Sequence, residues 1–307
     1  MQALAPIRHR FVSNIFPPRP RLISLPRSTA ARAFSSSSSS SEYPNQSRGG
    51  LPRFFSDRLP SSKGGVVHLQ GDEFHHMTRV LRLKTDDRVE LFNGNGSLVE
   101  GCIQSISRAG VDVMALGDPK FVPYPSPKWH VFAAFGTLKG GRADWLVEKC
   151  SELGACSVTP LLTDHSPLIS DNRVDRLQRV ILAATKQCQR LHEMVLNPPT
   201  DVTGILPLIS QSNLSFLAAA EADPVVNVLA SSRIEASGMI IIGPEGDFSE
   251  KEVNLMVKAG ATTVGLGPLR LRVETATVAI LAALMLWSNS QKSLALGSCS
   301  RYCCTIS

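Results

Sequence analysis

The chain has 307 residues, 43% of them hydrophobic, enough for one large or two modest domains with buried cores. Its formal charge of +6 is concentrated at the start: residues 1–41 hold six of the 32 basic residues and no acid, so 26 basic face 26 acidic residues beyond them. Global basicity therefore does not argue for nucleic acid, and the longest apolar run, "ATVAILAALMLW", covers 12 residues, too short to cross a bilayer.

The six early arginines are Arg8, Arg10, Arg19, Arg21, Arg27 and Arg32, and the segment ends in "AFSSSSSSS". Arg-rich, Ser-rich and acid-poor composition without an apolar h-region predicts an organelle transit peptide over 1–41, for mitochondrion or chloroplast. The alternative is a basic tail that contacts RNA. Residues 42–50 are polar and Gly-rich, a linker. Seven cysteines show no C-x-x-C spacing, and Cys150, Cys156 and Cys188 in apolar surroundings are expected as buried thiols.

A small β-rich domain is expected over 51–120. "VVHL" at 66–69 is a strand, and a short helical turn follows near Glu73–Val80. Two strands meet across Asn93-Gly94-Asn95-Gly96, a strong hairpin signal. "GVDVMAL" at 110–116 alternates as a further strand. Val80, Leu81 and Leu83 are expected in the core. Prolines then mark a linker over 121–128.

Residues 129–290 change character, with 291–307 a variable tail. "WHVFAAFG" at 129–136 is a strand, and "RADWLVEKCSELG" a helix closed by Gly154. "CSVTPLL" is a strand. A long helix over 172–190, with Ser170 as its cap, shows an apolar stripe of Val174, Leu177, Ile181, Ala184 and Cys188. "VVNVLA" at 225–230 and "GMIIIG" at 238–243 are apolar strands of the kind buried in parallel sheets. Ser249 and Glu252 form a capping box for a helix over 250–259, ended by Gly260. "TTVGLG" is a strand, "PLRLR" a turn, and 274–287 the last helix. Strand–loop–helix alternation makes an α/β domain whose ligands bind beyond the carboxyl ends of the strands.

Two loops occupy such ends: Gly243–Phe248 and Leu266–Arg272. Neither has nucleotide-loop glycine spacing, and Pro244 removes a donor that a phosphate nest would use. Gly243 and Gly246 permit close approach of backbone to a flat, nucleoside-like ligand. Glu245 and Glu274 are the carboxylates nearest it. The plainer readings are a turn residue and a helix-start charge.

"IIGPEGDFSEKEV" and "VGLGPLRLRVETA" closely resemble the signature of the RsmE family, SPOUT-class enzymes that methylate N3 of one uridine in bacterial-type (16S) small-subunit ribosomal RNA. "FHHMTRVLRLKTDDRVELFNGNG" resembles the family's PUA-like RNA-binding domain. "LKGGRADWLVEKCSELGA" and "AATKQCQRLHEMVLNPP" are similar to its catalytic-domain segments. The resemblance spans roughly 52–285. It implies a trefoil-knotted catalytic domain, S-adenosylmethionine as cofactor, a homodimer, and small-subunit rRNA or the assembling subunit as partner. The cofactor residues carried over are Leu229, Gly243, Glu245, Gly246, Leu266, Gly267, Leu271 and Arg272. Two departures stand out. Asp247 replaces a glycine, at a position where aspartate tolerates positive φ better than most residues. In Leu269–Ala276, Arg270 and Val273 alter the usual pattern while Arg272, Glu274, Thr275 and Ala276 remain.

The implied chemistry needs an N3 proton removed and the base oriented, without metal. Arg272 is the candidate to stabilise developing charge at the uracil oxygens; Glu245 or Glu274 is the candidate proton acceptor. RNA contacts are expected from His76, Arg79, Arg82, Lys84, Lys139 and Arg142, with Arg79 and Arg82 on one face if helical. Acidic Asp72, Glu73, Asp86 and Asp87 interleave with the first group, so a solvated surface is the competing reading. His75-His76 has no third ligand nearby, and no metal or membrane partner is expected. Rival functions are a SPOUT enzyme for another nucleotide, an inactive RNA-binding ribosome-assembly factor, and an α/β binding protein unrelated to RNA.

Overall fold

A computed structural model describes residues 50–135, 139, 141–166 and 171–302, with side chains of the last stretch described for 173–291. The expected transit peptide and the Ser170 cap lie outside these residues.

The first sheet is built from β1 (Arg53–Phe55), β2 (Val66–Leu69), β3 (Arg88–Phe92), β4 (Ser97–Ile106), β5 (Val111–Ala115) and β6 (Lys120–Phe121). The strands lie in the order β1-β3-β4-β5-β2, with β6 on β4, and pairing is antiparallel except between β1 and β3. The Asn-Gly hairpin joins β3 to β4 with Leu91 opposite Val99. Alternation buries Val89, Leu91, Val99, Ile103, Val111 and Val113 on one face.

Between β2 and β3, α1 (Gly71–His75) runs into a π-type turn over His76–Val80. Only Met77 of that turn is buried, while Val80 is 59% exposed, against the expectation of a core residue. The turn ends the helix, and Arg82 takes a left-handed φ of 55°. Arg79 and Arg82 are therefore not stacked on one helical face.

The second sheet is wholly parallel. Its elements are β7 (Lys128–Ala133), α2 (Arg142–Leu153), β8 (Ser157–Leu162), α3 (Asp171–Cys188), β9 (Val195–Leu196), β10 (Thr200–Asp201), α4 (Val202–Gln211), β11 (Ser215–Ala218), α5 (Val225–Ser231), β12 (Ser237–Ile242), α6 (Glu250–Lys258), β13 (Thr262–Val264) and α7 (Val273–Tyr302). The order is β10-β8-β7-β12-β11-β13, with β9 on β8. Central β12 is covered on both faces, as a parallel strand requires. Ile240 and Ile242 pack with Trp129, Leu146, Leu177 and Leu281; Met239 and Ile241 pack with Phe132, Ile205 and Met256 on the other side.

Three sequence expectations change. "VVNVLA" forms α5, not a strand: Pro224 starts it, and burial of Val225 and Leu229 with exposure of Val226 follows a helical period. The strand in this region is β11, ten residues earlier in starting position. The last helix runs to Tyr302, well into the expected tail. Its Val273–Gln291 stretch is long and apolar enough to cross a membrane by length and composition, yet Ile280, Leu281 and Leu284 are buried in the domain core. Of the three named thiols Cys150 is buried, its pKa pushed up to about 12 by desolvation, while Cys156 and Cys188 are partly exposed.

The two sheets belong to one compact unit and meet at the chain following α3. Gly96 donates to the Leu191 carbonyl at 2.7 Å, and Glu193 donates to that of Gly94 at 2.6 Å. Arg190 donates to the carbonyls of Ser151 (2.6 Å), Ala155 (2.9 Å) and His192, and to the Tyr124 hydroxyl (2.8 Å). Part of the expected linker is thus fixed: Tyr124 also donates to the Gly154 carbonyl at 3.3 Å.

Candidate cofactor and RNA site

Because β11, β12 and β13 are parallel, their carboxyl ends open on one edge of the sheet. The first wall is the turn after β12. Asp247 donates its backbone N–H to the Pro244 carbonyl at 2.9 Å and sits at φ 63°, the left-handed conformation expected where the family has glycine. Its carboxylate accepts from the Phe248 N–H at 2.9 Å, which stabilises that conformation locally. Phe248 turns inward and is buried. A Cβ on Gly243 would lie 2.9 Å from its ring, so glycine is required there by packing. The capping box of Ser249 and Glu252 then starts α6.

The second wall follows β13. Gly265 is pressed against the segment after β11: a Cβ would lie 2.3 Å from the Ala222 carbonyl oxygen. Gly265 donates to the Asp223 carbonyl at 2.7 Å and accepts from Val225 at 2.9 Å. Gly267 sits at φ 111°. Between the walls is a cleft of roughly 660 Å³ including space open to solvent, lined by Ala218–Ala220, Ile242–Glu245, Asp247, Leu266, Gly267, Leu269–Leu271, Val273 and Ala276.

The carried-over residues divide around this cleft. Gly243, Glu245, Leu266, Gly267 and Leu271 line it. Gly246 is in the same turn but faces away, where a Cβ would lie 3.3 Å from the Cβ of His165. Leu229 is buried in the α5 core and does not line the cleft. Arg272 is exposed beside it, and its guanidinium makes no hydrogen bond to a described residue.

The two carboxylates converge on Arg142. Its Nε donates to Glu274 Oε1 at 2.8 Å, and its Nη2 donates to Glu274 Oε2 at 2.7 Å and to Glu245 Oε1 at 3.1 Å. Glu274 has a side chain only 10% exposed, against 44% for Glu245. Hydrogen bonds from Arg142 hold the Glu274 carboxyl below the usual carboxylate range, outweighing its burial; Arg272 adds a smaller effect of the same sign. The Arg142 guanidinium is raised in turn, chiefly by Glu274.

The other expected RNA residues lie apart in the sequence and in the first sheet's loop. His76 packs edge-on against Phe54, with centroids 5.8 Å apart, so its ring is partly committed to packing. Arg79, Arg82 and Lys84 are exposed, as is Lys139 just before α2. Among the described residues no group of three or more His, Cys, Asp or Glu side chains is placed to hold a metal. Sequence reasoning missed Ala218–Ala220, which line the cleft from β11, and Arg270, which lines it and donates to the Glu245 carbonyl oxygen. The signal for the first was the short apolar "SFLA" running into small residues; for the second, the displaced arginine itself.

Known proteins are similar to this chain in sequence and fold. A family described as an RNA methyltransferase domain matches residues 125–285, and one described as an RNA methyltransferase PUA domain matches 69–113. Ribosomal RNA small subunit methyltransferase E of Synechocystis is 27% identical over 71% of this chain and 72% of its own length. The Mycobacterium bovis protein of that name is 28% identical over 75% and 90%. A candidate methyltransferase of Legionella pneumophila, solved with bound SAM, is 26% identical with a TM-score of 0.61 over 76% of this chain and 96% of that one. The Neisseria gonorrhoeae small subunit methyltransferase E, bound to S-adenosyl methionine, shares the fold at 22% identity, with a TM-score of 0.61 over 77% and 97%. With more than half of its length matched by the catalytic-domain family, this chain belongs to the RNA methyltransferases.

Proposed function

We propose that the protein transfers a methyl group from S-adenosylmethionine to N3 of one uridine in 16S-type small-subunit ribosomal RNA. The observation that carries this reading is the cleft at the ends of β11, β12 and β13. Its lining, mostly of alanines, glycines and aliphatic side chains, suits an adenosyl group, and the Glu245 carboxylate suits a cationic sulfonium. Leu266, Gly267, Leu271 and Gly243 would hold the cofactor, with Ala218–Ala220 as the third wall. The bound cofactor supplies the methyl group. The protein orients the uracil, accepts the N3 proton at a carboxylate or at a water held by one, and offsets developing charge at O2 or O4 with Arg272. An exposed guanidinium that makes no hydrogen bond among the described residues suits that last task.

The small sheet, with Arg79, Arg82 and Lys84, would position folded RNA through phosphates, joined by Lys139. The trefoil knot and the homodimer implied by the family resemblance belong to this reading, as do the division into a PUA-like domain over 51–120 and a catalytic domain over 129–290. So does import of the protein into chloroplast or mitochondrion on residues 1–41. Mass mapping of organellar small-subunit RNA with and without the protein tests the reading. One N3-methyluridine should vanish on its loss; unchanged modification in both organelles would overturn the assignment.

A further inference from the structure

One cation joins three segments at the cleft. Arg142 opens α2, Glu245 lies in the turn after β12, and Glu274 is the second residue of α7. The guanidinium edge of Nε and Nη2 grips both oxygens of Glu274 at 2.8 and 2.7 Å, which fixes its plane. The same Nη2 reaches Glu245 at 3.1 Å, and Arg270 donates to the Glu245 backbone carbonyl.

We propose that Arg142 is a positioning residue for methyl transfer: it clasps the glycine turn to the first turn of α7 and so holds two walls of the cleft at their working separation. This rests on the reading of the cleft as the S-adenosylmethionine site. Glu245 and Glu274 are brought close enough to share one nitrogen, an arrangement that needs a cation between them. Lysine offers a point charge and cannot span both carboxylates in one fixed plane. With both oxygens taken, Glu274 serves as a buried structural anion. Glu245 is more exposed and lines the cleft. Arg142, assigned to RNA on sequence grounds, thus acts through these two side chains.

Among the described residues, the charged groups around Glu274 are Arg142 from α2, Glu245 from the glycine turn and Arg272 from the chain before α7. In the wild-type chain Glu274 stays ionised through neutral pH. Its contribution to stability is present above the usual carboxylate range and lost as pH falls through its depressed value. Without Arg142 the buried carboxyl would instead ionise late, and ligand binding would weaken as pH rises.

The test is a cycle of R142M, E274Q and the double variant in the full-length chain, with R142K beside them. Calorimetry with S-adenosylhomocysteine at pH 6 and pH 8 gives affinity, and amide exchange at Asp247 and Phe248 without ligand reports the turn itself. R142M should bind about tenfold more weakly at pH 8 and recover toward pH 6, with exchange at the turn about tenfold faster. The double variant should bind no more weakly than R142M at pH 8 and lose its pH dependence, because the buried anion leaves with the cation, while exchange at the turn stays faster than wild type because the clasp is gone. R142K should fall between wild type and R142M. Wild-type exchange rates in R142M, or wild-type affinity and exchange in the double variant, would overturn the clasp. Failure of the wild-type chain to bind the ligand would overturn the cofactor reading, while the exchange rates would still decide whether the clasp exists.

Discussion

Two sets of cationic side chains are treated oppositely in this molecule. At the cleft Arg142 is bound to two carboxylates and Arg270 to a carbonyl. In the loop of the first sheet, among the described residues, Arg79, Arg82 and Lys84 have no ion-pair partner and stand in solvent. The difference fits the roles proposed for each. A wall must be fixed before the ligand arrives, so its charges are neutralised within the protein. A surface that meets a polyanion works by releasing counterions from it, so its charges are left unpaired. Arg272 stands between the two cases: it lies exposed beside the cleft, and its guanidinium makes no hydrogen bond to a described residue.

The comparison is broken most directly at Arg272. Arg272→Ala should slow single-turnover methylation by about 10²-fold or more with both substrates saturating, by analogy with other oxyanion donors. Cofactor affinity and unfolding should stay near wild type, because the side chain supports no described hydrogen bond. Normal turnover with weak cofactor binding would move Arg272 to the pocket instead. A paired cation should behave in the reverse way. Arg190 holds the carbonyls of Ser151 and Ala155 and the Tyr124 hydroxyl at the junction of the two sheets. Arg190→Ala should cost roughly 2–3 kcal/mol in urea unfolding, since buried carbonyls lose their donors. Once folded, its rate at saturation should be little changed.

A smaller effect separates the first sheet from the cleft. Arg79→Ala with Arg82→Ala should weaken RNA binding and flatten the slope of log affinity against log salt by about 0.7–0.9 per lost phosphate contact. Transfer at saturating RNA should be near normal. An unchanged slope would take both arginines out of the interface.

How far the sequence foretold this arrangement depends on the range of the interaction that decides each element. Short-range signals read correctly: the Asn-Gly hairpin, the Ser249–Glu252 capping box and the Gly154 stop all act within a few residues. "VVNVLA" misled because β-branched residues favour strands, while Pro224 and the i, i+4 burial of Val225 and Leu229 decided for a helix. In the site, the glycine turns and their leucines were legible, since backbone freedom is written in the residue type. The partnership of Arg142 with Glu274 was not: it spans 132 positions and depends on α2 and α7 packing side by side. The placement of Leu229 was hidden for a related reason: the helix that carries it turns it into the core, away from the cleft lining.

The smallest predicted effect concerns the departure at Asp247. Its φ of 63° costs an L-residue about 1 kcal/mol relative to glycine. Against this, its carboxylate accepts the Phe248 N–H at 2.9 Å, a local bond worth about 1 kcal/mol. The two nearly cancel, which is how the turn keeps its shape without the usual glycine. Asp247→Gly should therefore leave thermal stability within about 0.5 kcal/mol of wild type, removing strain and bond together. Asp247→Ala keeps the Cβ and loses the bond, and should cost about 1 kcal/mol. Cofactor affinity should follow the same order, since this turn forms one wall of the cleft. Equal destabilisation by both changes would mean that the carboxylate matters for something beyond backbone conformation, and the His165 ring, bonded to the Asp247 carbonyl at 2.9 Å, would be the next contact to vary.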